Sequence, residues 1–237
     1  MEPSVPDLSG LLLFDKPKGI TSHDAVDLLR RKLGVRRIGH SGTLDPMATG
    51  LLILLVGKAT SAQASLQGSA KTYSGTILFG AETDTWDAEG RVVAEAPPPP
   101  LDGAAVEKAV KALSGRIVQQ VPPHSAVKIG GKPMYKLARK GAAMPEVRRE
   151  AEVRWLSWTP RPPELDFTIE CSGGTYIRSI AREIGLLLGS RAHLTALRRE
   201  AIGRYAVADA VPAGRLASLG QAEAAALLRP VPGENHG

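Results

Sequence analysis

The sequence predicts an α+β fold in which strands and helices follow one another in a mixed order. Strand-like stretches come in runs with helical stretches between them, which differs from the strict alternation of a parallel βαβ sheet. Hydrophobic residues make up 43% of the 237 residues, enough to fill a core, whereas aromatic residues make up only 4%. Leucine, valine, isoleucine and alanine must therefore supply most of the packing.

Helices are predicted where apolar residues recur every three or four positions, and strands where they alternate or form short continuous runs. In the first helix Val26, Leu29 and Leu33 share one face, and Gly34 ends the helix. In chain order the predicted elements are a strand over 10–14, a helix that begins at 21–22 and ends before 34, a strand over 51–56, a weak helix near 59–67, a strand over 71–79, an acidic loop over 80–90, a returning strand over 91–96, a helix over 106–113, a hairpin edge at 126–129 with a turn at 130–131, a short basic helix over 134–140, strands over 148–158 and 164–171, a helix over 177–188, strands near 192–199 and 203–207, and a final helix near 219–228.

Composition argues against several classes of protein. No apolar run approaches the roughly 18 residues needed to span a bilayer, and the acidic, proline-rich N-terminus is unlike a signal peptide. We therefore expect a cytoplasmic protein without a membrane segment. Cys171 is the single cysteine, and its apolar surroundings predict a buried, inert thiol. The histidines are scattered without zinc-site spacing, so we do not expect a transition metal.

The positive charge of the chain is concentrated in one contiguous third. Residues 128–204 hold 15 lysines and arginines against 8 acidic residues, while the whole chain has a net charge of +6. This third is either an ordinary solvated surface or a basic face that binds a polyanion, and the asymmetry is typical of nucleic-acid-binding proteins.

One loop, residues 39–50, combines three glycines, one proline and a lone carboxylate, that of Asp45. Glycine and proline favour a tight loop rather than a helix, and the apolar strand 51–56 follows at once. A rigid loop on a buried strand can hold one reactive side chain in place. The alternative is that Asp45-Pro46 simply begins a turn.

Arg178 lies in the first turn of a predicted helix, where the helix dipole disfavours a cation by a few tenths of a kcal/mol or more. A cation at this position indicates an anionic partner. The alternative is an exposed arginine on a solvated helix.

Five segments, spread from about residue 10 to 205, resemble the bacterial tRNA pseudouridine(55) synthase (TruB) family, which acts on the T-loop uridine. They are 15–22, the loop around Asp45, Lys71-Thr72-Tyr73, 171–183 and 192–200. The resemblance implies a pseudouridine synthase catalytic domain with a central mixed, mostly antiparallel sheet flanked by helices. It also implies isomerisation of uridine-55 in the T loop of tRNA to pseudouridine, with the target base flipped out of its stack. This reaction involves no redox change, so the resemblance implies that neither a metal nor a cofactor is needed.

The resemblance assigns catalytic roles to three residues. Asp45 would be the nucleophile that holds one fragment covalently while the base turns, with C1′ of the sugar and C6 of the uracil both open as its target. Arg178 would pair with Asp45, keep it ionised and orient it. Tyr73 would stack on the flipped base and take part in proton movement.

The resemblance also implies a set of substrate-binding residues besides Tyr73. His40 would contact the RNA near the target base, Tyr176 would line the uracil pocket and Leu197 would close it. The Lys16-Pro17 motif would support the site, and Lys16 would also contact the substrate. The remaining members are Arg198 and Arg199, which would face the RNA.

We expect a disordered tail over 1–9, a catalytic domain over 10–230 and a C-terminal tail over 231–237. Many family members carry a further small RNA-binding domain after the catalytic one, and it is expected to be absent here. The expected partner is the T arm of tRNA, recognised by a monomer that needs no protein partner. Relatives that work with guide RNAs and partner proteins share these motifs, but they are longer.

Two other classes of function stay open at this stage. A non-catalytic tRNA-binding or RNA-folding factor could be built on the same domain, although intact Asp45, Tyr73 and Arg178 argue for activity. A metal-dependent phosphatase or nuclease could use Asp84 and Asp87, although that acidic loop is more typical of a solvated turn.

Overall fold

The computed structural model describes residues 8–125, 127–138 and 145–231. Its strands are β1 (Gly10–Lys16), β2 (Ile38–His40), β3 (Thr49–Val56), β4 (Lys71–Phe79), β5 (Ala81–Thr83), β6 (Val92–Glu95), β7 (Gly115–Gln120), β8 (Lys128–Ile129), β9 (Lys132–Pro133), β10 (Arg148–Arg161), β11 (Glu164–Cys171), β12 (Ala192–Ile202), β13 (Tyr205–Ala206) and β14 (Val211–Pro212). The expected tails at 1–7 and 232–237, and residues 139–140 of the expected basic helix, lie outside the described residues.

The helices are α1 (Ser22–Leu33), α2 (Gln63–Gly68), α3 (Gly103–Ala112), α4 (Met134–Ala138), α5 (Ile177–Leu187), α6 (Ala213–Ser218) and α7 (Gln221–Ala226), with short 3-10 turns at Gly57–Ala62 and Val207–Asp209. None of the helices within the described ranges has the length and hydrophobicity that crossing a bilayer would need.

The chain divides into two compact units, one made of residues 1–72 and 198–237 and the other of residues 73–197. In the first unit the strand order is β14-β1-β3-β12, with β2 beside β3 and β13 beside β12. Strands β1 and β3 are antiparallel, so that Gly10 lies opposite Val56 and Lys16 opposite Gly50. Strands β3 and β12 run parallel and meet where Arg199 lies opposite Gly50.

The core of the first unit is aliphatic, as the composition predicts. Its buried cluster consists of Leu11, Leu13, Leu51, Ile53, Leu55, Ala59 and Ile202. Helix α1 begins with a capping box, in which the Thr21 side chain accepts from the Asp24 N–H and the Asp24 side chain accepts from the Thr21 N–H. Gly34 ends the helix in the left-handed conformation, with φ of 68°.

In the second unit the strand order is β4-β11-β10-β7, with the first part of β12 beside β4. The pairs β10–β11 and β10–β7 are antiparallel. Trp155 and Phe167 pack edge to face with their ring centroids 5.9 Å apart, and the Trp155 indole N–H donates to the Leu113 carbonyl at 3.1 Å. Helices α3 and α5 contact each other, and α5 also contacts β7.

The described strand pairs are mostly antiparallel, with parallel pairs at β1–β14 and β3–β12, and helices flank the strands, which confirms the predicted fold class. Most predicted elements are present, and β4 has the predicted bounds. The sequence analysis missed β7 and α6, and it did not predict that the acidic loop begins with strand β5. Thr21, not Ser22, is the N-cap of α1, which leaves the Ser22 hydroxyl for another contact.

Candidate active site

The loop that carries Asp45 connects two antiparallel strands of the first unit, β2 and β3; we call residues 41–48 the Asp45 loop. The Ser41 N–H donates to the Ile53 carbonyl at 3.0 Å, and the Ser41 hydroxyl accepts from the Ile53 N–H at 3.2 Å. The Ala48 N–H donates to the Asp45 carbonyl at 3.1 Å, which closes a turn at the carboxylate. Asp45 is half-buried, so its side chain retains contact with solvent.

Two neighbouring elements hold the middle of the Asp45 loop. The Ser22 hydroxyl, at the start of α1, accepts from the Leu44 N–H at 2.8 Å and donates to the Leu44 carbonyl at 3.3 Å. The Pro46 carbonyl accepts from the Gly19 N–H at 2.8 Å and lies 3.5 Å from the Lys16 ammonium. Lys16 is 0% exposed and donates to two further carbonyls of its own turn. The position of Lys16 therefore fits support of the loop rather than contact with RNA.

Arg198 and Arg199 were both expected to face RNA, and the structure places them differently. Arg199 is 1% exposed and donates to the carbonyls of Leu51 and Gly42, at 2.7 and 3.2 Å. A side chain so deeply buried presents no surface to a phosphate, so the expectation for Arg199 is wrong. Arg198 is more accessible, but it forms two hydrogen bonds with the Asp15 carboxylate, at 3.1 and 2.9 Å. Hydrogen bonding to this carboxylate raises the pKa of Arg198.

His40 lies at the end of β2, directly before the Asp45 loop. Its Nδ1 accepts a hydrogen bond from the Gly42 N–H at 3.2 Å. Burial lowers the pKa of His40 below its ordinary value, and the nearby positive charge of Arg199 lowers it further. At neutral pH the imidazole is therefore uncharged, and it can act as a hydrogen-bonding group beside the loop.

In the second unit, Arg178 is the second residue of α5 and is 4% exposed, so the alternative of an exposed arginine on a solvated helix is wrong. It donates to the carbonyls of Thr85 and His124, at 2.8 and 3.1 Å. Its Nε lies 3.6 Å from a carboxylate oxygen of Asp87, and both side chains are 5% exposed. A cation against the helix dipole indicated an anionic partner, and Asp87 is an anionic partner within the same unit.

The loop that carries Asp87 is built around this carboxylate. One Asp87 oxygen accepts from the Thr85 hydroxyl at 2.6 Å and from the Glu89 N–H at 3.0 Å. Trp86, between them, has a positive φ of 62° and is 5% exposed. The expectation of a solvated turn is therefore wrong for Asp87. Among the residues that the structure describes, no group of three or more His, Cys, Asp or Glu side chains could hold a metal ion.

Tyr176 lies at the N-cap of α5, where Gln119 of β7 holds its backbone. The Gln119 side chain accepts from the Tyr176 N–H at 2.6 Å and donates to the Tyr176 carbonyl at 3.4 Å. Gln119 is 2% exposed, and such a buried polar residue is normally hydrogen-bonded. The sequence analysis missed Gln119 because it missed β7. The available signal was the β-branched pair Ile117-Val118 shortly after Gly115.

Tyr73 and Leu197 lie on β4 and β12, which are neighbours in the sheet of the second unit, and they are 7% and 8% exposed. The structure thus brings Lys16, His40, Asp45 and Arg199 together in the first unit. It brings Tyr176 and Arg178 together at the start of α5 in the second. The expected pairing of Arg178 with Asp45 would join the two units and stays a prediction.

Known proteins resemble this chain over most of its length. A family model described as TruB family pseudouridylate synthase (N terminal domain) matches residues 30–177. A protein of Opitutus terrae named tRNA pseudouridine synthase B is 45% identical over 226 residues, which cover 95% of this chain and 94% of that protein. A protein of the same name from Xanthomonas campestris pv. campestris is 44% identical over 227 residues, covering 94% of this chain and 74% of the relative.

A solved structure of a Cbf5-Nop10-Gar1 complex contains a chain with the same fold. That chain is 26% identical to this one and superposes with a TM-score of 0.64, over 88% of this chain and 53% of the solved one. The family model covers more than half of the chain, and the matched range includes the whole Asp45 loop. The chain therefore belongs to the TruB family of pseudouridylate synthases, enzymes that isomerise uridine in RNA.

Proposed function

We propose that this enzyme converts uridine-55 in the T loop of tRNA to pseudouridine, with Asp45 as the nucleophile and the target base flipped out. The observation that carries this proposal is the anchoring of the Asp45 loop. Ser41 at its start is hydrogen-bonded to β3, and Leu44 in its middle is hydrogen-bonded to Ser22 of α1. Asp45 itself keeps partial contact with solvent. The tRNA substrate is supported by the names of the similar proteins, which are tRNA pseudouridine synthases.

The reaction breaks the bond between C1′ of the ribose and N1 of the uracil, and forms a bond between C1′ and C5. The proton on C5 leaves and N1 gains a proton, so no oxidant or reductant is needed. Because the base must turn between the two steps, one fragment has to be held meanwhile. A carboxylate can hold it as a covalent adduct, and the Asp45 carboxylate is released when the new bond is complete.

Arg178 is proposed to pair with the Asp45 carboxylate and orient it. Its guanidinium is already fixed by two carbonyls and by Asp87, which leaves it little freedom to reorient. A pre-organised donor of this kind loses little entropy when it engages a partner. Tyr73 is proposed to stack on the flipped base, with Tyr176 lining the uracil pocket, Leu197 closing it and His40 contacting the RNA nearby.

Phosphate contacts are proposed to come mainly from three lysines of the basic third. Lys128 and Lys132 are exposed on the β8–β9 hairpin, and Lys136 is exposed on α4. Several arginines of the same third instead lie beside acids; Arg154, for example, is 3.0 Å from Glu170. Replacing Lys128 and Lys132 together by Ala should weaken tRNA binding and reduce the slope of log K against log salt by about 1–2.

Asp45→Asn tests the proposed nucleophile. We expect turnover to be abolished, measured as tritium release from tRNA labelled at C5 of uridine, while tRNA affinity stays within about tenfold. The matched control is Asp27→Asn, which removes a partly exposed carboxylate on α1 and should keep full activity. Residual activity of Asp45→Asn above a few per cent would exclude the nucleophile assignment.

The position in tRNA is tested separately, by mass-spectrometric mapping of pseudouridine after treatment with the purified chain. We expect one modified site, at position 55. Modification elsewhere would contradict the assigned position but not the reaction. We further propose a cytoplasmic monomer that needs no protein partner. Turnover by the purified chain at a concentration where light scattering shows a monomer is the expected result.

A further inference from the structure

Arg199 has the largest fully buried side chain in the part of the chain that the structure describes. It contacts the start of the Asp45 loop and the strand β3 that follows the loop. Its Nη2 donates to the Gly42 carbonyl, the second residue of the loop, at 3.2 Å. Its Nε donates to the Leu51 carbonyl, three residues beyond the loop, at 2.7 Å. One planar guanidinium therefore links the start of the loop to the beginning of β3, directly after the loop.

The backbone of Arg199 also contacts the beginning of β3. Gly50 lies opposite Arg199 where β3 and β12 run parallel. Gly50 has φ of 99°, and a Cβ at this position would lie 2.7 Å from the Arg199 nitrogen and would overlap its carbonyl oxygen. Only glycine allows this approach. The main chain of Arg199 thus packs against Gly50, and its side chain binds the carbonyl of the next residue, Leu51.

We propose that Arg199 is a positioning residue that fixes the Asp45 loop in its catalytic geometry. The proposal rests on Asp45 being the nucleophile. A buried cation is costly, and an apolar side chain of similar volume would fill the same space at lower cost. The two carbonyls explain why an arginine is buried here, because the donors of its guanidinium lie in a rigid plane and can bind both carbonyls at once. Lysine, with one mobile ammonium, would hold the two carbonyls less firmly.

The test compares Arg199→Met and Arg199→Lys with a matched control, Lys71→Met. Lys71 is also a buried cation of the first unit, 5% exposed, and it donates to the carbonyls of Leu66, Gln67 and Ser69 at the end of α2. Both Met variants remove a buried cation that binds main-chain carbonyls. Only the Arg199 variants remove one that binds the Asp45 loop.

The first readout is the single-turnover rate at saturating tRNA, together with the tRNA dissociation constant. We expect Arg199→Met to lower the rate by about 100-fold, because a shift of about 1 Å in a reacting group can cost that much. Arg199→Lys should lower it by about tenfold. Both variants should bind tRNA within about twofold of the parent, and Lys71→Met should keep at least about half of the parent rate.

The second readout does not depend on catalysis. Amide hydrogen exchange should become faster in residues 41–50 of Arg199→Met but not of Lys71→Met. It should become faster in residues 63–70 of Lys71→Met but not of Arg199→Met. Burial lowers the pKa of His40, and the charge of Arg199 lowers it further. This pKa, followed by NMR, should therefore rise in Arg199→Met and change less in Arg199→Lys, which keeps the positive charge.

Three results would overturn the proposal. A rate within twofold of the parent in Arg199→Met would show that the loop does not need Arg199. A loss of tRNA affinity at an unchanged rate would assign Arg199 to RNA binding instead. Equal losses of rate in Arg199→Met and Lys71→Met would indicate general destabilisation. Should Arg199→Met fail to fold, Arg199→Lys decides by the same readouts. Normal turnover by Asp45→Asn would refute the nucleophile alone, and the exchange pattern would still report the loop contact.

Discussion

Asp87→Asn removes one negative charge beside the buried Arg178 while it keeps the shape of the side chain. The carboxylate lies 3.6 Å from the Arg178 Nε, and both side chains are 5% exposed. At this distance and an effective dielectric constant of about 20, two unit charges attract by roughly 4–5 kcal/mol. An Asn whose oxygen keeps the bonds from Thr85 and Glu89 turns its NH2 group toward Arg178, so the attraction is lost. The carbonyls of Thr85 and His124 still accept from Arg178.

Breaking a buried ion pair generally costs about 3–5 kcal/mol. Because the separation is longer than a hydrogen bond and the two carbonyls remain, we expect a loss of about 2–3 kcal/mol in the free energy of unfolding. With an m value of about 2 kcal/mol/M, the urea midpoint should fall by about 1–1.5 M. We also expect kcat to fall at least about tenfold, since Arg178 would be less well fixed for its proposed pairing with Asp45.

The assay is urea denaturation followed by circular dichroism, with tritium release for kcat. The matched control is Asp84→Asn, three residues earlier in the same loop. Asp84 accepts from the Arg91 N–H at 2.9 Å and lies 3.5 Å from the Arg91 Nε, but the Arg91 side chain is 92% exposed. We expect this control to cost no more than about 1 kcal/mol. Equal midpoints for the two variants would refute the reasoning from burial.

Three further predictions concern the first unit. Because the pKa of His40 is lowered in the folded state, the unfolded chain takes up a proton near pH 6.5 before the folded chain does. The free energy of unfolding should therefore fall as pH drops from 7.5 to 5.5. His40→Gln should reduce this fall, measured by urea midpoints across the pH range. Gly50→Ala should cost about 3 kcal/mol because of its positive φ and its overlap with the Arg199 backbone, whereas Gly103→Ala, with open space around it, should cost nothing; similar urea midpoints for both would contradict this. Thr21→Ala should destabilise by about 1 kcal/mol through loss of the α1 N-cap, measured by the same urea titration; an unchanged midpoint would show that the cap contributes nothing.

The local elements follow from the sequence because their signals are local. The periodicity of Val26, Leu29 and Leu33 and the ending glycine define α1 without any knowledge of its surroundings. The run 51–56 has no polar residue, and it forms most of a strand whose residues from 50 onward are buried. The family also follows from the sequence, since the motifs around Asp45 and Arg178 are contiguous segments, and the comparisons confirm the family.

The sequence alone determined where an arginine lies in the chain, but not what it touches. Arg199 was expected to face RNA because its segment resembles a family strand with RNA-facing arginines, yet β3 and β12 meet in parallel and bury it against the Asp45 loop. Asp87 was taken for part of a solvated turn, and the fold places it beside Arg178, 91 positions later in the chain. The physical reason is that burial and ion pairing depend on residues brought together from distant parts of the chain, and these contacts leave no periodic pattern in the sequence itself.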